Sequence, residues 1–211
     1  RVDGAASVLV DLGTAPVELT RALAARFAAQ GIGYADAPVA RTRLAALRGE
    51  LSATVGAAPA TFARIEPVLR CFASEVLHCG DVGAGQVAKL INNMVLFEAG
   101  AALAEALAIG RRSGIAPETL LTALTQGSAD SFAARNHGLK AMLPGTYPLR
   151  AFSTRYALKD LDYALELADA AGVDAAGARV VRERFAAAIR GGDGDRYWPV
   201  IAEHVPCKDK A

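Results

Sequence analysis

From Gln86 to Arg112 the chain runs 27 residues with no proline and only two glycines. At 1.5 Å per residue this is a single helix of about 40 Å, longer than the span of most small domains. A helix of that length forces the rest of the chain to organise around it, and the texture of the sequence changes at its start, where Gly83 and Gly85 stand. Before them, short apolar runs alternate with turn residues. After them, the apolar positions recur at helical spacing.

The first part reads as an α/β unit. Residues 7–12 form a buried strand ending at Gly13, Thr14 and Pro16, and Thr14 is placed to cap the next helix with Pro16 in its first turn. Val17, Leu19, Leu23 and Phe27 give residues 16–30 a helical period that Gly31 stops. Residues 32–39 predict a second strand, 40–49 a basic stretch, 50–56 a third strand, 59–73 a helix and 75–79 a fourth strand ending at Gly80. Such alternation is that of an open sheet with covering helices.

The second part reads as all-helical, with helices over 86–112, 117–127, 131–142, 156–171 and 175–190 and turns at the intervening glycines and prolines. The expected division is an α/β part over 1–85, a helical domain over 86–205 and a short polar tail over 206–211. About one residue in five is alanine, the best helix former, while aromatic residues are only 6%. The interior of such helices is packed closely through small side chains. The mean hydropathy is +0.24, which points to extensive burial and a subunit interface. No stretch of about 18 apolar residues lacks a charge, so no membrane span is expected. Lys and Arg number 23 against 22 Asp and Glu, a balance that gives no field for nucleic acid. Cys71, Cys79 and Cys207 are odd in number and lack metal-ligand spacing, as expected of free thiols in a cytoplasmic setting with no bound metal.

The chemistry concentrates at the start of the long helix, in Gly83-Ala-Gly85-Gln-Val-Ala-Lys89-Leu-Ile-Asn92-Asn93. Lys89 and Asn93 are four residues apart and share one helix face. That helix end faces the strand tips, where open α/β sheets bind ligands. A partly desolvated lysine there can exchange a proton with a hydroxyl, and an asparagine one turn on can hold the same oxygen. On spacing alone, a solvated lysine in a polar helix start is the better fit. The histidines, His78, His137 and His204, are scattered without ligand spacing and read as structural.

Five blocks occur in order: Asp11-Leu-Gly-Thr14-Ala-Pro16, Asp36-Ala-Pro38-Val39, Gly49-Glu-Leu51-Ser-Ala-Thr-Val55-Gly56, the Lys89 segment, and Lys159-Asp160-Leu161. In this order they resemble the β-hydroxyacid dehydrogenase family, which includes 3-hydroxyisobutyrate dehydrogenase and tartronate semialdehyde reductase. The resemblance runs from about residue 7 to about residue 190, and the lysine block is its specific part. It implies a partial Rossmann-type sheet, a long interdomain helix and a C-terminal helical domain through which copies pair as dimers or tetramers. It implies hydride transfer between NAD or NADP and a small hydroxyacid or its semialdehyde. Lys89 matches the proton donor and acceptor, Asn93 a substrate-binding asparagine, and Thr14 the cofactor-side threonine near the nicotinamide. Lys159 matches a lysine that closes over the cofactor, with Asp160 beside it, and Phe152 an aromatic lining the cleft.

The departures are specific. Where the family pattern continues with Ser-Gly-Gly to grip a substrate carboxylate, this chain has Ala40, Arg41 and Thr42. Arg41 and Thr42 are the substrate-side candidates there: Arg41 supplies a charged donor for a carboxylate or is a solvated loop arginine. No Gly-x-Gly-x-x-Gly segment precedes residue 7, and Gly83-x-Gly85 lacks both the third glycine and the following βαβ unit. The chain is therefore expected to lack the part that holds the cofactor pyrophosphate and to be cofactor-deficient by itself. Two other readings stand beside this one: a non-catalytic dimerisation module of the same family, and an imine-reductase-like enzyme, against which the lysine argues.

Overall fold

The computed structural model describes residues 6–208. They form two compact units, one reaching to Asn92 and the other beginning at Asn93. The long helix contributes to both.

The first unit is built from β1 (Val8–Asp11), α1 (Val17–Ala28), β2 (Gly33–Asp36), β3 (Val39–Ala40), α2 (Arg43–Leu47), β4 (Leu51–Gly56), α3 (Pro59–Leu69), β5 (Ala73–Gly80) and the opening turns of α4 (Ala84–Arg112). The five strands make one mixed sheet: β1 pairs parallel with β2 and β4 with β5, while β2 and β3 both run antiparallel to β4. The single strand expected over 32–39 is thus divided in two. Asp36–Gly56, Val39–Ala53 and Ala40–Ser52 lie on one register, so the segment is one extended run interrupted at Pro38, which has no N–H to give the ladder. The core between sheet and helices is made of small residues, Ala35, Ala37, Ala53, Val55 and Ala57, closed by Ile65 and Leu69 of α3. The N-cap position expected at Thr14 falls at Pro16. Pro16 occupies the N-cap position with φ −58° and no side-chain cap, because its ring already fixes the entry angle of the chain.

The second unit holds the rest of α4, α5 (Pro117–Gln126), a π-helix (Ala134–Met142), α6 (Thr154–Ala170), α7 (Ala176–Arg190) and a 3₁₀-helix (Trp198–His204). The regular helix expected over 131–142 is wound as a π-helix, starting after Ser131, whose hydroxyl accepts the Ala134 N–H. Phe97, Phe185 and Trp198 form its centre. The ring of Phe97 meets those of Phe185 and Trp198 edge-on, each at 5.2 Å. Gly100 is required by this packing, since a Cβ there would lie 2.5 Å from the Trp198 ring.

By length and hydropathy α4 would be able to cross a membrane. Leu90, Phe97, Ala104 and Leu107 are fully or nearly fully buried along it, and Glu98 and Glu105 interrupt it. Its apolarity is that of a core helix.

Candidate active site

In the first unit the site is assembled by buried polar side chains. Asp36, the last residue of β2, is fully buried. Its carboxylate accepts the Gly83 N–H at 2.7 Å and the Gln86 N–H at 2.8 Å, two of the first amides of the helix start, which have no partner within the helix. Burial holds the Asp36 carboxyl above its ordinary range, against the lowering effect of these two bonds. Two glycines make room for the contact. A Cβ on Gly85 would sit 2.4 Å from the Thr54 carbonyl oxygen, and one on Gly56 2.5 Å from Asp36 Oδ1. Thr54 adds a hydrogen bond from its hydroxyl to the Gly85 carbonyl at 3.1 Å.

Gln86 continues the seam. It is fully buried, and its side-chain amide pairs with the β1–α1 loop: Oε1 accepts the Ala15 N–H at 3.1 Å and Nε2 donates to the Gly13 carbonyl at 2.8 Å. Thr14 lies between these two partners. Asp11, at the end of β1, accepts the Gly13 N–H at 2.8 Å and the Tyr34 hydroxyl at 3.2 Å. Burial, with Asp11 adding to it, pushes the Tyr34 phenol up to about 12, so it remains a donor. Lys89 follows Gln86 by three residues on α4 and is half-buried.

Arg41 and Thr42 are engaged locally. Arg41 adopts a left-handed φ of 85°, and its guanidinium donates to the Glu50 carbonyl at 2.7 Å and the Ser74 hydroxyl at 2.9 Å. Thr42 is the N-cap of α2, its hydroxyl accepting the Ala45 N–H at 3.2 Å. Both hold the corner between β3 and α2.

The second unit brings together three of the residues singled out in the sequence. Asn93 Nδ2 donates to Asp160 Oδ2 at 2.8 Å in a buried contact. Lys159 Nζ lies 3.0 Å from the other oxygen of the same carboxylate, and 5.1 Å from the centre of the Tyr163 ring. Asp160 is 3% exposed, so its charge is balanced by the lysine beside it. Phe152 belongs to the aromatic core, its ring 5.9 Å from Phe97.

Sequence reasoning did not single out Gln86 or give Asp36 a role. Glutamine at the opening of a helix is itself a capping signal, but the partners of Gln86 lie 71 and 73 residues away.

Residues 83–199 match the family described as the NAD-binding region of NADP-dependent 3-hydroxyisobutyrate dehydrogenase. Residues 4–80 match the NAD-binding domain of 6-phosphogluconate dehydrogenase. The chain belongs to the β-hydroxyacid dehydrogenase family. Among curated members of this family, it is 38% identical over 174 residues to 3-hydroxyisobutyrate dehydrogenase of Pseudomonas aeruginosa, covering 80% of this chain and 57% of that protein. It is 36% identical over 162 residues to 2-(hydroxymethyl)glutarate dehydrogenase of Eubacterium barkeri, covering 77% of this chain and 54% of that protein. The chain thus spans little more than half the length of these β-hydroxyacid dehydrogenases. Among solved structures, 3-hydroxyisobutyrate dehydrogenase of Salmonella typhimurium superposes with a TM-score of 0.86 at 26% identity, over 95% of this chain and 70% of that one. The Mycobacterium tuberculosis enzyme, solved with L-serine, gives 0.83 at 27%, over 94% and 70%.

Proposed function

We propose that this chain takes part in NAD(P)-dependent oxidation of a small β-hydroxyacid, or reduction of its semialdehyde, with Lys89 as the proton donor and acceptor at the substrate oxygen. The observation that carries this reading is the position of Lys89. It lies one turn beyond Gln86, at the end of α4 that Asp36 fastens to the sheet and Gln86 to the loop after β1. The amine of a lysine is a group that can both take and return a proton. In reduction, the Lys89 ammonium donates to the carbonyl oxygen; in oxidation, its neutral amine takes the hydroxyl proton. Asn93, four residues on, holds the same oxygen, and Asp160 fixes the orientation of its amide. Arg41 and Thr42 enter this reading only as residues that shape the β3–α2 corner.

The residues of the first unit fit a nicotinamide. The Thr14 hydroxyl, in the loop after β1, suits an uncharged carboxamide. The amides of Gly83 and Gln86, which an anionic phosphate would need, already donate to Asp36. NAD or NADP, when bound, supplies or accepts the hydride. Thr14 would hold its carboxamide end, and Lys159 enters the proposal as a cofactor-side residue on the family resemblance alone. With no pyrophosphate cradle among these residues, cofactor affinity of this chain by itself is expected to be weak. The same family relationship supports a cytoplasmic enzyme that self-associates through the helical unit, where Val95, Ile109 and Val180 are exposed; sedimentation of a lone monomer would contradict the last point.

The test is turnover of a panel of small hydroxyacids with cofactor in large excess. Lys89→Ala is expected to lower kcat by about 100-fold or more with an unchanged melting temperature. Equal turnover in the variant, or none in the wild-type protein, overturns the reading.

A further inference from the structure

We infer that Gln86 is a positioning residue, which sets the loop carrying Thr14 against the turn of α4 carrying Lys89. The inference rests on the functional reading above for its catalytic half, and on geometry alone for its structural half.

A primary amide holds a donor and an acceptor side by side in one plane at every pH. Gln86 uses both on one short loop, accepting from Ala15 and donating to Gly13. It grips the peptide groups on either side of Thr14, as a neighbouring strand would. The backbone N–H of the same residue is held by Asp36 at 2.8 Å, so the grip has a fixed origin in the sheet. One residue therefore links β1, β2 and α4. Its side chain is fully buried, where an unmade hydrogen bond costs most. The side chain of this glutamine caps no amide of its own helix: Asp36 accepts the Gly83 and Gln86 N–H groups, and the Asp81 carbonyl accepts that of Ala84. Its side chain instead fixes where Thr14 stands relative to a residue one helical turn further on. Reactions between two bound groups depend steeply on such placement: a misplacement of about 1 Å costs on the order of 100-fold in rate.

Two substitutions separate this role from simple packing. Gln86→Met keeps the length and removes both hydrogen bonds. Gln86→Glu keeps the acceptor, and its second oxygen can donate to the Gly13 carbonyl only when protonated. As a carboxylate it faces that carbonyl with like partial charge. The elements around it carry Asp11 on β1, Asp36 on β2, Glu18, Arg21 and Arg26 on α1, and Lys89 on the opening turns of α4. The two aspartates and the burial favour the protonated form of the introduced acid.

The experiment measures hydrogen exchange of the Ala15 amide by NMR and turnover against pH in wild-type protein, Gln86→Met and Gln86→Glu. Gln86→Met is expected to exchange Ala15 about tenfold faster or more, with amides of the central strand β4 unchanged. Its kcat is expected to fall by about 100-fold while KM moves by less than about threefold. In Gln86→Glu, kcat relative to wild type should rise as pH falls, because protonation restores the donor to the Gly13 carbonyl, while Ala15 stays protected because its acceptor is kept. Unchanged exchange at Ala15 in Gln86→Met overturns the inference outright. Faster exchange with unchanged kcat overturns the positioning role, as does a Gln86→Glu protein whose relative activity is flat with pH. If the wild-type protein turns over no hydroxyacid, the reading of Lys89 and Thr14 fails, and with it the catalytic half; the exchange data still decide whether the clamp exists.

Discussion

The two units solve the same problem, holding α4 in place, with opposite chemistry. In the first, the helix is held by a polar seam: Asp36 on its opening amides, Thr54 on the Gly85 carbonyl, Gln86 on the β1–α1 loop. The surrounding core is small, chiefly alanine and valine. In the second, the same helix is held by rings, with Phe97 packed on Phe185 and Trp198. Aromatic packing is strong through buried area. Hydrogen bonds are directional, weak in net terms, and costly to break one-sidedly. The contrast matches what each end must do. The sheet end has to place individual atoms, whereas the ring end has to supply cohesion.

The largest effect should come from the ring end. Trp198 is fully buried among Phe97, Phe185 and His137, and Trp198→Ala is expected to cost about 4 kcal/mol, read as a shift in the denaturant midpoint by circular dichroism. A cost below about 1 kcal/mol would show that the second unit does not depend on its rings.

The second effect concerns acid. His137 is 4% exposed, its Nδ1 lies 2.8 Å from the Tyr197 hydroxyl oxygen, and burial lowers its pKa from 6.5 to about 4. A histidine whose folded value is depressed contributes stability above its unfolded value, and that contribution is lost as pH falls from 6.5 to about 4. The loss amounts to about 3 kcal/mol. In His137→Gln the acid dependence of the second unit should flatten over this window. Trp198 is the sole tryptophan, so its fluorescence follows that unit. Asp36 acts in the opposite sense. Its carboxyl is held above the ordinary 3.8, so its contribution is fully present below that value and declines as pH rises through the folded value. The two units should therefore diverge on acidification, the ring unit weakening first.

A third test is Asp36→Asn. The amide can accept one of the two backbone N–H groups but turns a donor toward the other, so a cost of about 2 kcal/mol is expected at neutral pH, read by exchange of the β4 amides. The variant should also lose the acid-side contribution just described.

How much of this was legible depends on distance along the chain. The long helix could be read from the absence of proline, and the strand–helix alternation from apolar runs bounded by glycine. Lys89 and Asn93 could be paired because helical spacing is local. The antiparallel course of β2 and β3 against β4 could not, since alternation alone does not fix strand direction. The π-helix over Ala134–Met142 could not either, because a shift of one residue in hydrogen bonding leaves the apolar pattern almost unchanged. Thr14 was read as standing at the N-cap, a position that Pro16 occupies. Asp36 and Gln86 escaped because a buried polar residue has meaning only through its partners, which lie 47 to 73 residues away.

The smallest effect is the most exacting probe of the contrast. Thr54→Val replaces a hydroxyl by a methyl of nearly the same shape in a central strand, where a β-branched residue is favoured. It removes only the 3.1 Å bond to the Gly85 carbonyl. That carbonyl belongs to the first turn of α4 and keeps its place in the helical ladder, so no buried group is left without a partner. The expected cost is about 1 kcal/mol, the net worth of one such bond. A cost near this value, measured by denaturant unfolding, means that the seam is a sum of independent contacts. A cost comparable to that of Trp198→Ala would mean that Asp36, Gln86 and Thr54 act as one cooperative network. In that case the polar end is as strong as the ring end, and placing atoms and holding the helix are not separate tasks.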